Sequence, residues 1–342
     1  MSTRPSILVI YTGGTIGMVE DSATGALNPF DFEHLTDQVP EIRKFNYTID
    51  SLSFDPIIDS SNMEPAVWVR LARIIEQHYE KYDGYVILHG SDTMAYTASA
   101  LSFMLENLSR PVILTGSQLP LGMIRTDGKE NFITAIEIAA ARRNGRAIVP
   151  EVCIYFEYQL YRGNRTHKYN AEHFEAFRSV NYPVLAQAGV DIKYNEAAIH
   201  QPTAQEFRIF TNLDNNIAIL KLFPGMNPEV VRCTLGIPGL KAVVMETFGS
   251  GNAPTGEWFL GALEEAIGRG LLVCNVTQCQ GGAVDMKKYE TGLGMERIGV
   301  VSGHDMTTEA AVTKLMYLLG NGYPLDRLKK YLLTPLRGEM TV

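Results

Sequence analysis

The chain has 342 residues, 46% of them hydrophobic and 20% charged, enough apolar material for one large globular domain or two ordinary ones. Its 38 acidic and 30 basic residues leave a formal charge of −8, which argues against a basic face for phosphate backbones, so no nucleic-acid partner is expected. The four cysteines, Cys153, Cys233, Cys274 and Cys279, are scattered without a Cys-x-x-Cys pair. They read as buried reduced thiols, with neither a disulfide framework nor a zinc site.

The first residues, Met-Ser-Thr-Arg-Pro, pass at once into the apolar run 7–11, which lacks the length and cleavage site of a signal peptide. No uninterrupted apolar stretch approaches the ~20 residues that span a bilayer. A cytoplasmic protein without membrane association is expected. Further short apolar runs follow at 85–89, 112–115 and 151–156, and later at 217–222, 242–247 and 271–276. They have the character of strands buried on both faces of a parallel sheet. Between them, the spacing predicts helices. Residues 64–82 place Val67, Leu71, Ile74, Ile75 and His78 on one stripe, and 127–143 place Ile133, Ile136 and Ala140 on another. Strand alternating with helix predicts an α/β fold. A stretch rich in Pro, Asn and Gln near 182–216 interrupts the alternation, which restarts at Ile217. The expected organisation is a larger N-terminal domain with a parallel-rich sheet flanked by helices (1–190), a connecting segment (191–212) and a smaller C-terminal α/β domain (213–342).

In open parallel sheets ligands bind beyond the carboxyl ends of the strands. The first strand ends in Tyr11-Thr12-Gly13-Gly14-Thr15-Ile16-Gly17. Adjacent glycines let the backbone turn sharply and let a ligand approach main-chain N–H groups. The segment has neither the Gly-x-Gly-x-x-Gly spacing of a dinucleotide site nor the Gly-Lys-Ser/Thr ending of a phosphate loop. An ordinary glycine turn and a catalytic loop fit it equally, because a Thr hydroxyl needs a base or a polarising neighbour before it attacks. Before the first long helix lies Ile58-Asp59-Ser60-Ser61-Asn62-Met63, dense in hydrogen-bonding groups. Leu88-His89-Gly90-Ser91-Asp92-Thr93-Met94 follows another strand; Ser91 or Asp92 could cap the next helix, a role compatible with catalysis. Thr115-Gly116-Ser117-Gln118 adds small polar groups at the same edge. Such a set suits a compact polar molecule carrying carboxylate and ammonium groups.

Residues 11–17 together with 89–94 resemble the paired signature of the L-asparaginase family, of the bacterial cytoplasmic type (type I). Also similar to it are 59–63, the run beginning Met94-Ala95-Tyr96-Thr97, Tyr161-Arg162-Gly163-Asn164-Arg165-Thr166-His167-Lys168, Phe248-Gly249-Ser250-Gly251-Asn252-Ala253-Pro254 and Asn275-Val276-Thr277-Gln278-Cys279. The resemblance runs from the first strand to Leu336-Arg337-Gly338-Glu339. It implies hydrolysis of L-asparagine to aspartate and ammonia without metal or organic cofactor, with weaker glutaminase activity alongside. Thr15 would form an acyl-enzyme, and Ser91, Asp92 and Lys168 would supply a second polar group in which Asp92 holds Lys168 and Lys168 acts as a base through the Ser91 hydroxyl. The family usually has Thr at the Ser91 position; Ser keeps the hydroxyl with a freer rotamer. Asp59, Ser60, Ser61, Ser91, Asp92, Ser117 and Asn252 would contact substrate, and N–H groups near Ser91 would hold the oxyanion. Asn252 would do so in the site of a neighbouring subunit, since the family forms homotetramers of tight dimers.

Two departures stand out. Relatives often carry a Tyr in the loop after Thr15, but residues 22–29 contain none, and Tyr289 is the candidate to polarise Thr15 instead. A regulatory asparagine site in cytoplasmic relatives falls near His167, Glu246 and Cys279. A carboxylate where a cation is usual would repel the ligand's carboxylate, so weakened or absent activation is expected. The competing readings are an ammonia-generating amidotransferase subunit, which would carry an extra domain before Thr12, and a non-catalytic amino-acid-binding homologue, which would have lost Thr15 or Lys168.

Overall fold

Short apolar runs closed by glycine or small polar residues form the buried strands of two sheets. The computed structural model describes residues 4–20, 27–29, 39–201, 205–287 and 290–342. It divides into two units, Met1–Ile209 and Phe210–Val342.

The first unit holds an eight-stranded sheet: β1 (Ser6–Tyr11), β2 (Thr48–Ser53), β3 (Gly84–Leu88), β4 (Val112–Thr115), β5 (Val152–Phe156), β6 (Gln159–Arg162), β7 (Ala186–Gln187) and β8 (Lys193–Tyr194), in the order β8-β7-β6-β5-β4-β3-β1-β2. The five strands from β2 to β5 run parallel, and β6, β7 and β8 continue the sheet antiparallel. Every residue of β3, β4 and β5 is buried, as expected of strands covered on both faces. The chain leaves β1 for β2 on one side and returns to β3 on the other. This reversal makes the carboxyl ends of β1 and β3 a topological switch point, the place where open parallel sheets bind their ligands.

Three helices flank this sheet: α1 (Pro65–Gln77), α2 (Met94–Met104) and α3 (Gly128–Ala140). Pro65 starts α1 with its φ already set for a helix. The predicted stripe of α1 is widened by Trp68 and Ala72, and the helix stops at Gln77, so His78 is its half-buried C-cap and not part of the stripe. In α3 the buried set includes Phe132, Ala135, Ile136, Ile138, Ala139 and Ala140, while Ile133 is only half-buried. That helix lies along β1, β3, β4 and β5, a broader contact than one narrow stripe can fill.

Much of the stretch 191–212 is built into the first unit. Lys193–Tyr194 is the edge strand β8, Arg208–Ile209 pairs antiparallel with Leu105–Glu106, and Phe207 stacks on Tyr79 with ring centroids 3.8 Å apart.

The second unit carries a parallel sheet of β9 (Ile217–Lys221), β10 (Ala242–Thr247), β11 (Leu272–Thr277) and β12 (Val301–Ser302), in that order. Its helices are α4 (Pro228–Leu235), α5 (Glu257–Gly268), α6 (Glu290–Arg297), α7 (Thr308–Gly320) and α8 (Leu325–Leu332). Asn227 caps α4 through the Glu229 N–H and Thr307 caps α7 through the Ala310 N–H. The expected α/β class, with a larger parallel-rich sheet followed by a smaller α/β unit, is thus borne out. The thiols depart from expectation. Cys153 and Cys274 are buried, but Cys233 on α4 and Cys279 just past β11 are exposed, because both fall where their element faces solvent.

Candidate active site

Three chain segments converge at the switch point, and glycines let them do so. The Thr12 N–H and hydroxyl both donate to the Leu88 carbonyl, at 3.0 and 2.9 Å, and tie the end of β1 to the end of β3. The Thr12 carbonyl accepts from the Ile58 N–H at 2.7 Å, which brings in the segment after β2. A Cβ on Gly13, at φ +135°, would stand 2.1 Å from the Ile58 oxygen, and one on Gly14, at φ +95°, would stand 2.5 Å from the Gly90 nitrogen. Both positions therefore need glycine for conformation and for space. Thr15 follows at once, half-buried, and opens the 3-10 turn Thr15–Gly17.

Against that turn packs the Tyr11 side chain. A Cβ on Gly17 would stand 2.0 Å from the Tyr11 hydroxyl oxygen. That hydroxyl is buried without a hydrogen-bond partner among the described residues, and burial pushes the phenol up to about 12, so it stays protonated.

After β2, Asp59 caps the turn Ser60–Asn62. Its Oδ1 accepts the Ser61 N–H and the Ser61 hydroxyl, each at 2.9 Å. These bonds, the backbone one foremost, hold the carboxyl below its usual range. Ser60 is buried, and its carbonyl accepts the Thr93 hydroxyl at 2.7 Å.

After β3, the capping role open to Ser91 and Asp92 is not taken. Thr93 occupies the N-cap of α2, with no side-chain cap bond. Ser91 and Asp92 instead meet Lys168. The pairing of His167–Lys168 with Phe177–Arg178 fixes the backbone of that lysine. Its Nζ donates to Ser91 Oγ at 2.8 Å and to Asp92 Oδ1 at 2.6 Å. The Lys168 side chain is 15% exposed and that of Asp92 is 68% exposed, so the ammonium is largely shielded from solvent while its counter-ion faces water.

After β4, Ser117 is buried and donates to the Leu119 carbonyl at 2.6 Å, so its hydroxyl serves the turn. The neighbour Gln118 reaches the cluster: its Oε1 accepts the Ser91 hydroxyl at 3.1 Å. The buried Asp127 carboxylate accepts the Gln118 and Leu119 N–H groups at 2.9 and 3.1 Å, and Asn131 donates to the Gly116 carbonyl at 3.0 Å. Burial pushes the Asp127 carboxyl up against these bonds.

His89 is fully buried in a chain of single donors. Trp68 Nε1 donates to Thr97 Oγ1 at 3.0 Å, Thr97 lies 2.9 Å from His89 Nε2, and Nδ1 lies 2.7 Å from the Gly90 carbonyl. A carbonyl only accepts, so Nδ1 carries the proton and Nε2 accepts from Thr97. Burial pushes the imidazole down to about 4, which keeps it neutral and structural.

The remaining candidates belong to other segments of the chain. Asn252 belongs to the second unit, half-buried in a turn whose backbone closes on Phe248. Tyr289 and residues 22–26 of the loop after Thr15 lie outside the described residues. His167 is exposed on its strand in the first unit. In the second unit Cys279 is exposed, and the Glu246 carboxylate is already engaged by Lys221 Nζ at 3.0 Å and the Thr308 hydroxyl at 2.7 Å. No helix among the described residues is long and apolar enough to cross a membrane.

Known proteins share this architecture. The family model for the N-terminal part of asparaginase matches residues 6–200, and that for the glutaminase/asparaginase C-terminal domain matches residues 216–332. L-asparaginase 1 of Escherichia coli K12 is 43% identical over 344 residues, covering 99% of this chain and 98% of that one. The 60 kDa lysophospholipase of Mus musculus is 41% identical across 100% of this chain, which spans only 64% of that relative's length. The crystal structure of L-asparaginase I from Vibrio cholerae superposes with a TM-score of 0.91 at 41% identity, over 99% of this chain and 100% of that one.

Proposed function

The chain belongs to the asparaginase family, and from that premise we propose that it hydrolyses L-asparagine to L-aspartate and ammonia through an acyl-enzyme on Thr15. The observation that carries this reading is the contact of Lys168 Nζ with Ser91 Oγ at 2.8 Å, beside the crossing of Gly14 and Gly90 that brings the Thr15 turn to the same strand end.

In the first half-reaction Thr15 Oγ attacks the side-chain amide carbon. The hydroxyl proton passes to the amide nitrogen, the C–N bond breaks, and ammonia leaves an ester on Thr15. In the second, Lys168 first gives up a proton to solvent and becomes the neutral amine, and Ser91 then takes a proton from water as its own proton passes to that amine. The hydroxide adds to the ester carbon, aspartate leaves, and the Thr15 oxygen recovers the proton from Lys168 through Ser91. Asp92 holds Lys168 in line for both transfers, and N–H groups near Ser91 face the developing oxyanion. Asp59, held ionised by the Ser61 bonds, is the counter-ion for the substrate's α-ammonium, with Ser60, Ser61 and Asp92 beside it. Tyr289 is the group assigned to polarise Thr15.

Two further parts of the reading rest on family resemblance: a cytoplasmic homotetramer of tight dimers, and Asn252 serving the site of a neighbouring subunit. Glutamine is one methylene longer, a difference worth about 1–3 kcal/mol in a pocket, so pocket shape sets the ratio of glutaminase to asparaginase activity. Ammonia and aspartate measured from asparagine and glutamine with purified protein test the proposal. Equimolar ammonia and aspartate from asparagine are expected; no release above the buffer blank would refute it.

A further inference from the structure

We infer that Gln118 is a positioning residue for the proposed relay: its amide, locked by two backbone carbonyls, fixes the direction in which the Ser91 hydroxyl points. The lock begins in the turn after Lys168. Asn170 Oδ1 accepts the Glu172 and His173 N–H groups, at 2.8 and 2.9 Å, and folds this turn around its own side chain. The carbonyls of Ala171 and His173 then face outward and accept from Gln118 Nε2 at 3.3 and 3.1 Å. Carbonyls only accept, so the NH₂ end of the Gln118 amide must face them and Oε1 must face Ser91. With Oε1 in place, the Ser91 hydroxyl donates to it at 3.1 Å while Ser91 Oγ accepts from Lys168 at 2.8 Å.

The result is a chain of donors running one way, from Lys168 through Ser91 to Gln118 and into the 170–173 turn. Each bond polarises the next, which makes Ser91 a better acceptor for the ammonium than an isolated hydroxyl would be. At rest the Ser91 proton is turned away from the lysine, and one lone pair of the serine remains for water. On turnover, once Lys168 has lost a proton to solvent, the serine needs only to rotate its proton from Gln118 to the amine. Ser has a freer rotamer than the Thr usual at this place in the family, so an external acceptor has more to fix here. Gln118 itself is positioned by its own backbone, whose N–H is held by Asp127.

This inference rests on the reading of the reaction given above, and its test separates the two. Gln118→Met removes the acceptor and the donors together. Gln118→Glu keeps an oxygen for Ser91, but its carboxylate cannot donate to the two carbonyls and is repelled by them. Both variants are expected to lower kcat for asparagine by about 10- to 100-fold with KM changed less than about threefold, a size usual for the loss of proton-transfer geometry. Independently of turnover, the ¹³Cε resonance of Lys168 in lysine-labelled protein, assigned by its loss in Lys168→Met, is expected to move in both variants while the other lysines stay in place. That resonance reports on the network even if the wild type releases no ammonia, an outcome that would bring down the reaction alone. An unmoved Lys168 resonance, a wild-type Gln118→Glu, or a loss confined to KM would overturn the role given to Gln118.

Discussion

Lys168 and Ser91 stand 77 residues apart in the chain, yet the ammonium of one donates to the hydroxyl of the other at 2.8 Å. The contact is made by two backbone devices: the end of β3, which delivers Ser91, and the short strand pair that holds Lys168. Asp92 completes it from the adjacent position at 2.6 Å. If this cluster moves the protons, Ser91→Ala and Lys168→Met should each lower kcat by about 10²- to 10⁴-fold with a small change in KM. The double variant should be little worse than either single one, because residues acting as a unit are not additive. Steady-state ammonia release from the four proteins checks this; additive losses would place the two residues in separate roles.

The glycine crossing offers a test of how the Thr15 loop is held. A Cβ on Gly14 would lie 2.5 Å from the Gly90 nitrogen and 2.7 Å from its Cα, both backbone atoms that cannot step aside. Gly14→Ala should cost about 1–3 kcal/mol of stability through overpacking and the left-handed φ. It should also abolish most turnover, because Thr15 is the next residue. Urea unfolding alongside activity reads both effects, and a wild-type melting curve with wild-type activity would show that the crossing is looser than described.

His89 ties the stability of this crossing to pH. Its folded value of about 4 lies below the ordinary 6.5, so the unfolded chain binds the extra proton first as pH falls. The contribution of the neutral imidazole is therefore complete above about 6.5 and is lost as pH drops towards 4. The loss is of order 3 kcal/mol for a group this deeply buried. Unfolding free energies measured between about pH 7.5 and pH 4.5 should fall more steeply for the wild type than for His89→Gln. Parallel slopes would mean that the imidazole titrates normally.

In the second unit, Lys314 on α7 and Glu339 near the carboxyl terminus form an ion pair at 2.6 Å with neither side chain exposed. Lys314 also donates to the Leu332 and Thr334 carbonyls at 3.0 and 2.8 Å, and Glu339 accepts the Leu336 and Arg337 N–H groups at 3.0 and 2.7 Å. Burial pushes the ammonium down from its ordinary value, and Glu339 opposes that shift. Glu339→Ala leaves a buried charge and should cost roughly 3–5 kcal/mol, whereas Lys314→Met with Glu339→Leu should cost less than Glu339→Ala alone. Thermal unfolding of the variants decides whether the pair anchors the final segment.

How much of this was legible in the sequence follows from the range of the interactions. The central strands are continuous apolar runs, and the loops after them are rich in glycine and hydroxyls, so the sheet and the polar segments at its edge could be read locally, while the roles of Thr15, Asp59, Ser91 and Asp92 come from the family resemblance. The antiparallel strands β7 and β8 have two residues each, too few for any period to show. Gln118 does not stand out from its neighbour Ser117 in the sequence, because nothing local says which side chain leaves the turn; that is decided by Ser91 and by carbonyls 53 and 55 residues away. Tyr11 belongs to both the first apolar run and the signature segment 11–17, and only the close approach of Gly17 shows its hydroxyl packed against the Thr15 turn.

The covalent step at Thr15 is read by ammonia release from L-asparagine by the wild type and by Thr15→Ala, with rapid quenching and intact-protein mass measurement. An aspartyl adduct on the wild type that maps to Thr15 is expected, with no adduct and at least about a thousandfold slower ammonia release in Thr15→Ala. Equal ammonia release by the two proteins, or an adduct on another residue, would contradict it.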